Sequence, residues 1–91
     1  MTMLDIQPSA TLRRQDVVAM NTNMILSNSG LMKKDLAKAM GLSPQSMASR
    51  LQSKADWTID ETCAAADFFG VPLMALLDEN LTPAKAMEYI K

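Results

Sequence analysis

Four polar residues in a stretch of six carry the groups that bind the edges of DNA bases: Gln45, Ser46, Ser49 and Arg50. If a helix begins at Pro44, a rotation of about 100° per residue places these four on one side and Met47, Ala48 and Leu51 on the other. In the major groove, glutamine pairs with adenine, arginine with guanine, and serine with either base. The pattern therefore predicts a base-reading helix. The alternative is a plain solvated face, which would more often carry Glu and Lys.

The residues before this stretch predict a second helix and a tight turn. The apolar residues of a helix over residues 33–40 form one stripe: Leu36, Ala37 and Met40. Gly41 follows at the point where a helix commonly ends in a left-handed backbone conformation. Ser43 and Pro44 are of the types that cap and open the next helix. Residues 33–52 are therefore predicted to form a helix-turn-helix.

This stretch resembles the helix-turn-helix of the Cro/phage-repressor family, in which Ala, Gly, Ser and apolar residues recur at the same spacing. The matching positions are Leu36, Ala37, Met40, Gly41, Leu42, Ser43, Met47 and Leu51. Residues 49–54, 57–61, 69–73 and 76–77 also look like those of small repressors from temperate phages, particularly phages of actinobacteria. The resemblance covers about residues 31–78. It implies a lambda-repressor-like fold and sequence-specific binding of operator DNA.

The chain departs from the family pattern at two places. The family usually begins the first helix of the pair with Ser or Thr followed by Gln or Glu, whereas this chain has Met32, Lys33 and Lys34. Family members also often have Gly where Ser53 stands. The two lysines are candidate phosphate contacts in place of the missing glutamine.

Charge is strongly polarised along the chain, although the net charge is only −1. Residues 11–55 contain seven basic and two acidic residues, whereas residues 56–91 contain two basic and seven acidic residues. This distribution favours a positive face toward a polyanion, with a chance fluctuation of surface charge as the alternative. The predicted phosphate contacts are Lys33, Lys34, Lys38, Ser43, Lys54, Arg13 and Arg14. For the two arginines, a solvated surface pair is an equal alternative.

Composition favours an all-α fold, because Ala, Leu and Met are abundant while β-branched and aromatic residues are scarce. A chain of 91 residues forms one domain. We expect a compact five- to six-helix bundle of the lambda-repressor-like helix-turn-helix type. It should span residues 11–91 and follow a loose arm at residues 1–10.

Capping residues predict the ends of the other helices. The first helix is expected from about residue 11 to residue 27, and its inward stripe is Val17, Met20, Met24 and Leu31. Trp57 is expected to cover the end of the base-reading helix. Thr58 and Glu61 have the form of a capping box at the start of a helix that ends at Phe69.

Two short helices are expected at the carboxyl end. Pro72 opens the first, with Leu73, Leu76 and Leu77 facing inward. The second covers residues 83–90 and carries an apolar stripe of Ala86, Met87 and Ile90. This stripe either docks on its own domain or pairs with a second copy. Pairing is favoured, because helix-turn-helix proteins often bind operators as two-fold dimers, with a monomer as the alternative.

Residue types that support catalysis or metal binding are scarce. The chain has no histidine and one cysteine, Cys63, which is expected to be a small core residue. Asp60 and Glu61 point in different directions on a helix and suit a helix start better than an acid–base pair. We expect no enzyme activity, no catalytic residues, no metal, no cofactor and no small-molecule ligand.

The first ten residues lack a basic region and an apolar core, so no secretory signal is expected. No apolar run is long enough to span a bilayer, so a cytoplasmic location is expected. The leading hypothesis is a DNA-binding transcription regulator, a phage Cro-like or immunity repressor, whose partners are double-stranded operator DNA and a second copy of the chain. The alternative is a protein-interaction module with the same fold, which binds an antirepressor- or antitoxin-like partner.

Overall fold

The computed structural model describes residues 13–90, and the expected arm at residues 1–10 lies outside this range. The described residues form six helices and no strand, which confirms the all-α prediction. The helices are α1 (Arg14–Ser29), α2 (Lys33–Met40), α3 (Pro44–Leu51), α4 (Ile59–Phe69), α5 (Leu73–Leu76) and α6 (Pro83–Tyr89). None of them has both the length and the apolar character that are needed to cross a bilayer.

Side-chain caps fix the starts of three helices at the predicted positions. The hydroxyl oxygens of Ser43, Thr58 and Thr82 each accept a backbone N–H from the third residue of the helix that follows, at 3.0–3.2 Å. Each such bond satisfies one of the N–H donors that the first turn leaves without a helical partner. At Thr58 the cap is reciprocal, because the carboxylate of Glu61 accepts the N–H of Thr58 at 3.1 Å. The predicted capping box is therefore confirmed.

The turn between α2 and α3 depends on Gly41. Its φ of 71° lies in the left-handed region, which glycine adopts without a Cβ penalty. The N–H of Gly41 donates to the carbonyl of Lys38, and the N–H of Leu42 donates to that of Ala37 at 2.9 Å. These two bonds close the end of α2 and direct the chain into α3.

The core lies where the inner faces of the helices meet. Its four largest fully buried apolar side chains come from four different helices: Ile25, Leu36, Met47 and Leu76. Helix α4 packs against α2 and α5, and α1 packs against α3. Because α2 and α3 both bury their apolar stripes in this core, the orientation of α3 is set by packing along its length.

The buried face of α1 differs from the predicted one. Val17 is buried and Met24 is half-buried as expected, but Met20 is 47 % exposed and Leu31 is also exposed, so those two predictions are wrong. Asn21 occupies the inward position instead. Its side-chain amide donates to the carbonyl oxygens of Leu76 and Asp78, both at 2.9 Å. These bonds satisfy the buried amide, which explains why a polar residue lies inside.

Helix α6 docks on its own domain. Ala86 is fully buried, and Met87 and Ile90 pack against the core, while α6 as a whole contacts α1. The apolar stripe is therefore partly covered within one chain, and its pairing with a second copy stays a prediction. The physical reason is that a short terminal helix buries more apolar area by closing the bundle than by facing water.

Candidate nucleic-acid interface

Of the four predicted base-reading residues, Gln45 at the start of α3 is the exposed one. Its side-chain amide makes no hydrogen bond to any residue from 13 to 90. Ser46 and Ser49 are half-buried. An exposed glutamine amide offers one donor and one acceptor side by side, which is the pair of groups that adenine requires in the major groove.

Two serine hydroxyls at the start of α3 are linked to each other. The hydroxyl of Ser43 accepts the backbone N–H of Ser46 at 3.2 Å and donates to the hydroxyl of Ser46 at 3.1 Å. Ser43 therefore uses both its donor and an acceptor inside the helix start, which makes it a capping residue. The hydroxyl of Ser46 accepts in this bond, so its own donor is not used in it.

The prediction that Arg50 faces solvent is wrong. Its Nε donates to Oε1 of Glu61 at 3.0 Å and its Nη2 donates to Oε2 at 3.1 Å. The two side chains are only 19 % and 12 % exposed. The hydrogen bonds from Arg50 hold the pKa of Glu61 below its ordinary value, against the opposing effect of burial. The guanidinium is therefore turned toward α4, which corrects the expectation that it lies on the outer face of α3.

The position of Arg50 on the helix explains why its side chain turns this way. It lies about 40° around the helix from Ser46 and about 60° from buried Met47, so it stands at the border of the two faces. A long side chain at such a border can turn to either face, and here it turns to the carboxylate of Glu61. The sequence did identify Glu61 as a capping residue, but one carboxylate accommodates both the cap and a bidentate arginine.

Three residues from outside α3 hold its carboxyl-terminal end in place. The indole N–H of Trp57 donates to the carbonyl of Arg50 at 3.0 Å, and the amide of Asn23 donates to that of Leu51 at 2.9 Å. Gln15 in turn accepts the backbone N–H of Trp57 at 3.0 Å. The prediction that Trp57 covers the end of the helix is confirmed. Asn23 and Gln15 were missed, because nothing in their local sequence indicates a partner so far along the chain.

The lysines predicted to contact phosphates are all exposed: Lys33, Lys34, Lys38 and Lys54. None of them forms an ion pair with a carboxylate of residues 13–90. Lys33 and Lys34 stand in the first turn of α2, where the positive end of the helix dipole disfavours cations. No side chain caps this turn. An anion placed here would therefore meet both ammonium groups and free N–H donors.

Lys54 follows a strained turn at the end of α3. Ser53 has a φ of 60°, in the left-handed region that costs a residue with a Cβ about 1–2 kcal/mol. The N–H of Lys54 donates to the carbonyl of Ser49 at 2.9 Å, which closes the turn. Replacing Ser53 with glycine, which adopts this conformation without a Cβ penalty, is expected to raise the free energy of unfolding by about 0.5–1 kcal/mol. Urea denaturation measures this change, and a destabilised variant would contradict it.

Arg13 and Arg14, the N-cap and the first residue of α1, lie at the rim of a groove between α1, α4 and α5. Arg13 pairs with Asp16 at 3.3 Å and approaches Asp56 at 3.9 Å. Arg14 pairs with Glu79 and donates to the carbonyl of Leu77 at 3.1 Å. The groove has a volume of about 420 Å³ and mostly apolar walls. Both arginines thus have carboxylate partners within the chain, unlike the four lysines.

Carboxylates of the acidic half of the chain, residues 56–91, form ion pairs with Arg50, Arg14 and Lys85. Glu61 pairs with Arg50, Glu79 with Arg14, and Asp78 with Lys85 at 3.2 Å. No carboxylate among residues 13–90 pairs with the lysines of α2 or with Lys54. In the described part of the chain, the α2 segment and Lys54 therefore carry four lysines without an ion pair, against one carboxylate in α2, that of Asp35.

No group of three or more Cys, Asp or Glu residues in the described range is placed to hold a metal ion, and Cys63 is half-buried. Comparison with known proteins gave no match to this chain among family models, curated proteins or solved structures.

Proposed function

We propose that this protein is a sequence-specific DNA-binding regulator of transcription with a lambda-repressor-like helix-turn-helix. The observation that carries the proposal is an exposed Gln45 at the start of α3, together with three lysines of α2 and Lys54, all exposed and without an ion pair among residues 13–90. A neutral amide without an internal partner suits a base edge, and uncompensated lysines suit phosphates. A helix-turn-helix brings both to one DNA duplex.

In this proposal α3 lies in the major groove and each group has one role. Gln45 contacts adenine, and the hydroxyls of Ser46 and Ser49 contact neighbouring base edges. Lys33, Lys34, Lys38 and Lys54 contact phosphates and fix the position of α3 along the groove. The protein acts as a Cro-like or immunity repressor if its operator overlaps a promoter, since the bound protein then excludes the polymerase. Pairing of two copies through α6 stays a prediction, since Met87 and Ile90 are half-buried and Tyr89 is 42 % exposed.

Selection of binding sites from a pool of random duplex DNA tests the proposal. We expect one short sequence to be enriched, with adenine at the position that Gln45 contacts. Fluorescence anisotropy on the enriched duplex should show affinity that falls steeply with salt, because about four lysine contacts release about four counterions. No enrichment, together with no complex at low salt, would overturn the proposal.

Replacing Lys34 with alanine is expected to weaken binding to all DNA sequences alike and to reduce the slope of log K against log salt by about 0.9. The matched control is Lys85→Ala, because Lys85 is also exposed but already pairs with Asp78. The control should leave the slope unchanged. Equal slopes for the two variants would show that Lys34 makes no phosphate contact.

A second candidate function, binding to another protein, is favoured by two exposed apolar side chains beside the groove. Ile59 is 76 % exposed and lines the groove, and Met74 is 72 % exposed next to the lining residue Leu73. Large exposed apolar side chains at the edge of a cavity are candidates for an interaction site. Under this function the wild-type protein would fail the DNA selection, and Ile59→Ser would abolish the interaction with its protein partner while preserving the fold.

A further inference from the structure

We propose that Glu61 determines the base specificity of α3 by holding Arg50 out of the major groove. This inference rests on the proposed function. It concerns which bases the helix reads, and it assigns a role to a residue of α4 that lies outside the helix-turn-helix.

The contacts of Glu61 fix the guanidinium firmly. Its two carboxylate oxygens accept three hydrogen bonds, one each from Nε and Nη2 of Arg50 and one from the backbone N–H of Thr58, all at 3.0–3.1 Å. Bidentate, charge-assisted pairs of this kind are among the strongest side-chain interactions. The carboxylate is 12 % exposed, so releasing the arginine would leave a largely buried negative charge without its partner.

The backbone of Arg50 is anchored independently of its side chain. Its carbonyl accepts the indole N–H of Trp57, and the next carbonyl accepts the amide of Asn23. The helix end therefore keeps its position whether or not the guanidinium is bound. A change at Glu61 redirects the side chain without redirecting α3.

A released Arg50 has access to the reading face. It lies one turn after Ser46 and about 40° around the helix from it, and its side chain is long enough to cross that angle. Arginine is the residue that most commonly reads guanine, through paired donors to O6 and N7. With Glu61 in place, the reading face consists of one amide and two hydroxyls. Without the carboxylate, it gains a guanidinium.

The experiment repeats the binding-site selection with four proteins: wild type, Arg50→Ala, Glu61→Gln and the double variant. Glutamine at position 61 keeps the size of the side chain and its ability to accept the N–H of Thr58, but it removes the charge that holds the arginine. We expect wild type and Arg50→Ala to enrich the same sequence. Glu61→Gln should gain a preference for guanine of about tenfold at one added position, and the double variant should lose that preference.

The possible outcomes distinguish failure of the inference about Glu61 from failure of the proposed function. A changed preference for Arg50→Ala would show that Arg50 reads a base in the native protein, which overturns this inference and leaves the proposed function standing. A folded Glu61→Gln variant that enriches the wild-type sequence would overturn it as well. If Glu61→Gln does not fold by circular dichroism, the comparison of wild type with Arg50→Ala decides alone. A wild-type protein that selects no sequence overturns the proposed function itself.

Discussion

Replacing Glu61 with alanine is expected to lower the free energy of unfolding at pH 7 by about 2–4 kcal/mol. Removing one partner of a buried ion pair commonly costs about 3–5 kcal/mol, and the remaining exposure of both side chains reduces that figure here. The substitution also removes the carboxylate that accepts the N–H of Thr58. Urea denaturation followed by the fluorescence of Trp57, the single tryptophan, measures the loss.

Asp60→Ala is the matched control for this change. Asp60 carries the same charge at the same helix start, is exposed, and forms no ion pair with residues 13–90. Its loss removes only a favourable interaction with the helix dipole, worth about 0.3–1 kcal/mol. Equal losses for the two variants would mean that the pair with Arg50 contributes nothing to stability.

The stabilisation of the folded protein by Glu61 also depends on pH, and the lowered pKa fixes the direction of that dependence. Its pKa is lowered in the folded protein from an ordinary value of 4.5, chiefly by the hydrogen bonds from Arg50. A lowered folded pKa stabilises the protein above the unfolded value, and this stabilisation is lost as the pH falls through the folded value. The difference between wild type and Glu61→Ala should therefore be full at pH 7 and should shrink below pH 4.5. A difference that grows on acidification would contradict the assigned cause.

The boundaries of the helices could be predicted because their signals are local. Ser43 and Thr58 act on N–H groups three residues away, and Gly41 acts through its own φ. Such interactions are complete within a few residues of sequence. The helix pair α2 and α3, the turn at Gly41 and the capping box therefore followed from short patterns.

The directions of particular side chains could not be predicted, because their partners are distant in sequence. Asn21 lies inside only because carbonyls of residues 76 and 78 receive its amide. Arg50 turns toward α4 because Oε1 of Glu61 accepts Nε of Arg50 as well as the N–H of Thr58, and Oε2 accepts Nη2. A helical wheel separates polar from apolar residues, but it does not show whether a polar residue finds an internal partner. The same limit applies to α6. Its apolar stripe could be predicted from the sequence, but the surface on which the stripe packs could not.

The most direct test of the reading face is Gln45→Ala. This change is expected to weaken binding to the enriched operator about tenfold or more, because it removes the paired donor and acceptor that contact adenine. Binding to a duplex of scrambled sequence should be unchanged, since the side chain is neutral and contacts no phosphate in the proposed complex. Gln45 is exposed and has no internal hydrogen bond within residues 13–90, so the fold should not be affected.

Lys34→Ala is measured together with Gln45→Ala on the operator and on the scrambled duplex. The comparison separates an effect on specificity from an effect on general affinity for DNA. Loss of a phosphate contact weakens both duplexes equally and leaves their affinity ratio unchanged, whereas loss of a base contact reduces the ratio itself. If Gln45→Ala also weakened both duplexes equally, the amide would be a backbone contact. Base reading would then depend on Ser46 and Ser49 alone, and two hydroxyls supply too few paired donors and acceptors to distinguish all four base pairs. The contrast between these two variants therefore decides whether α3 recognises a sequence or only a duplex.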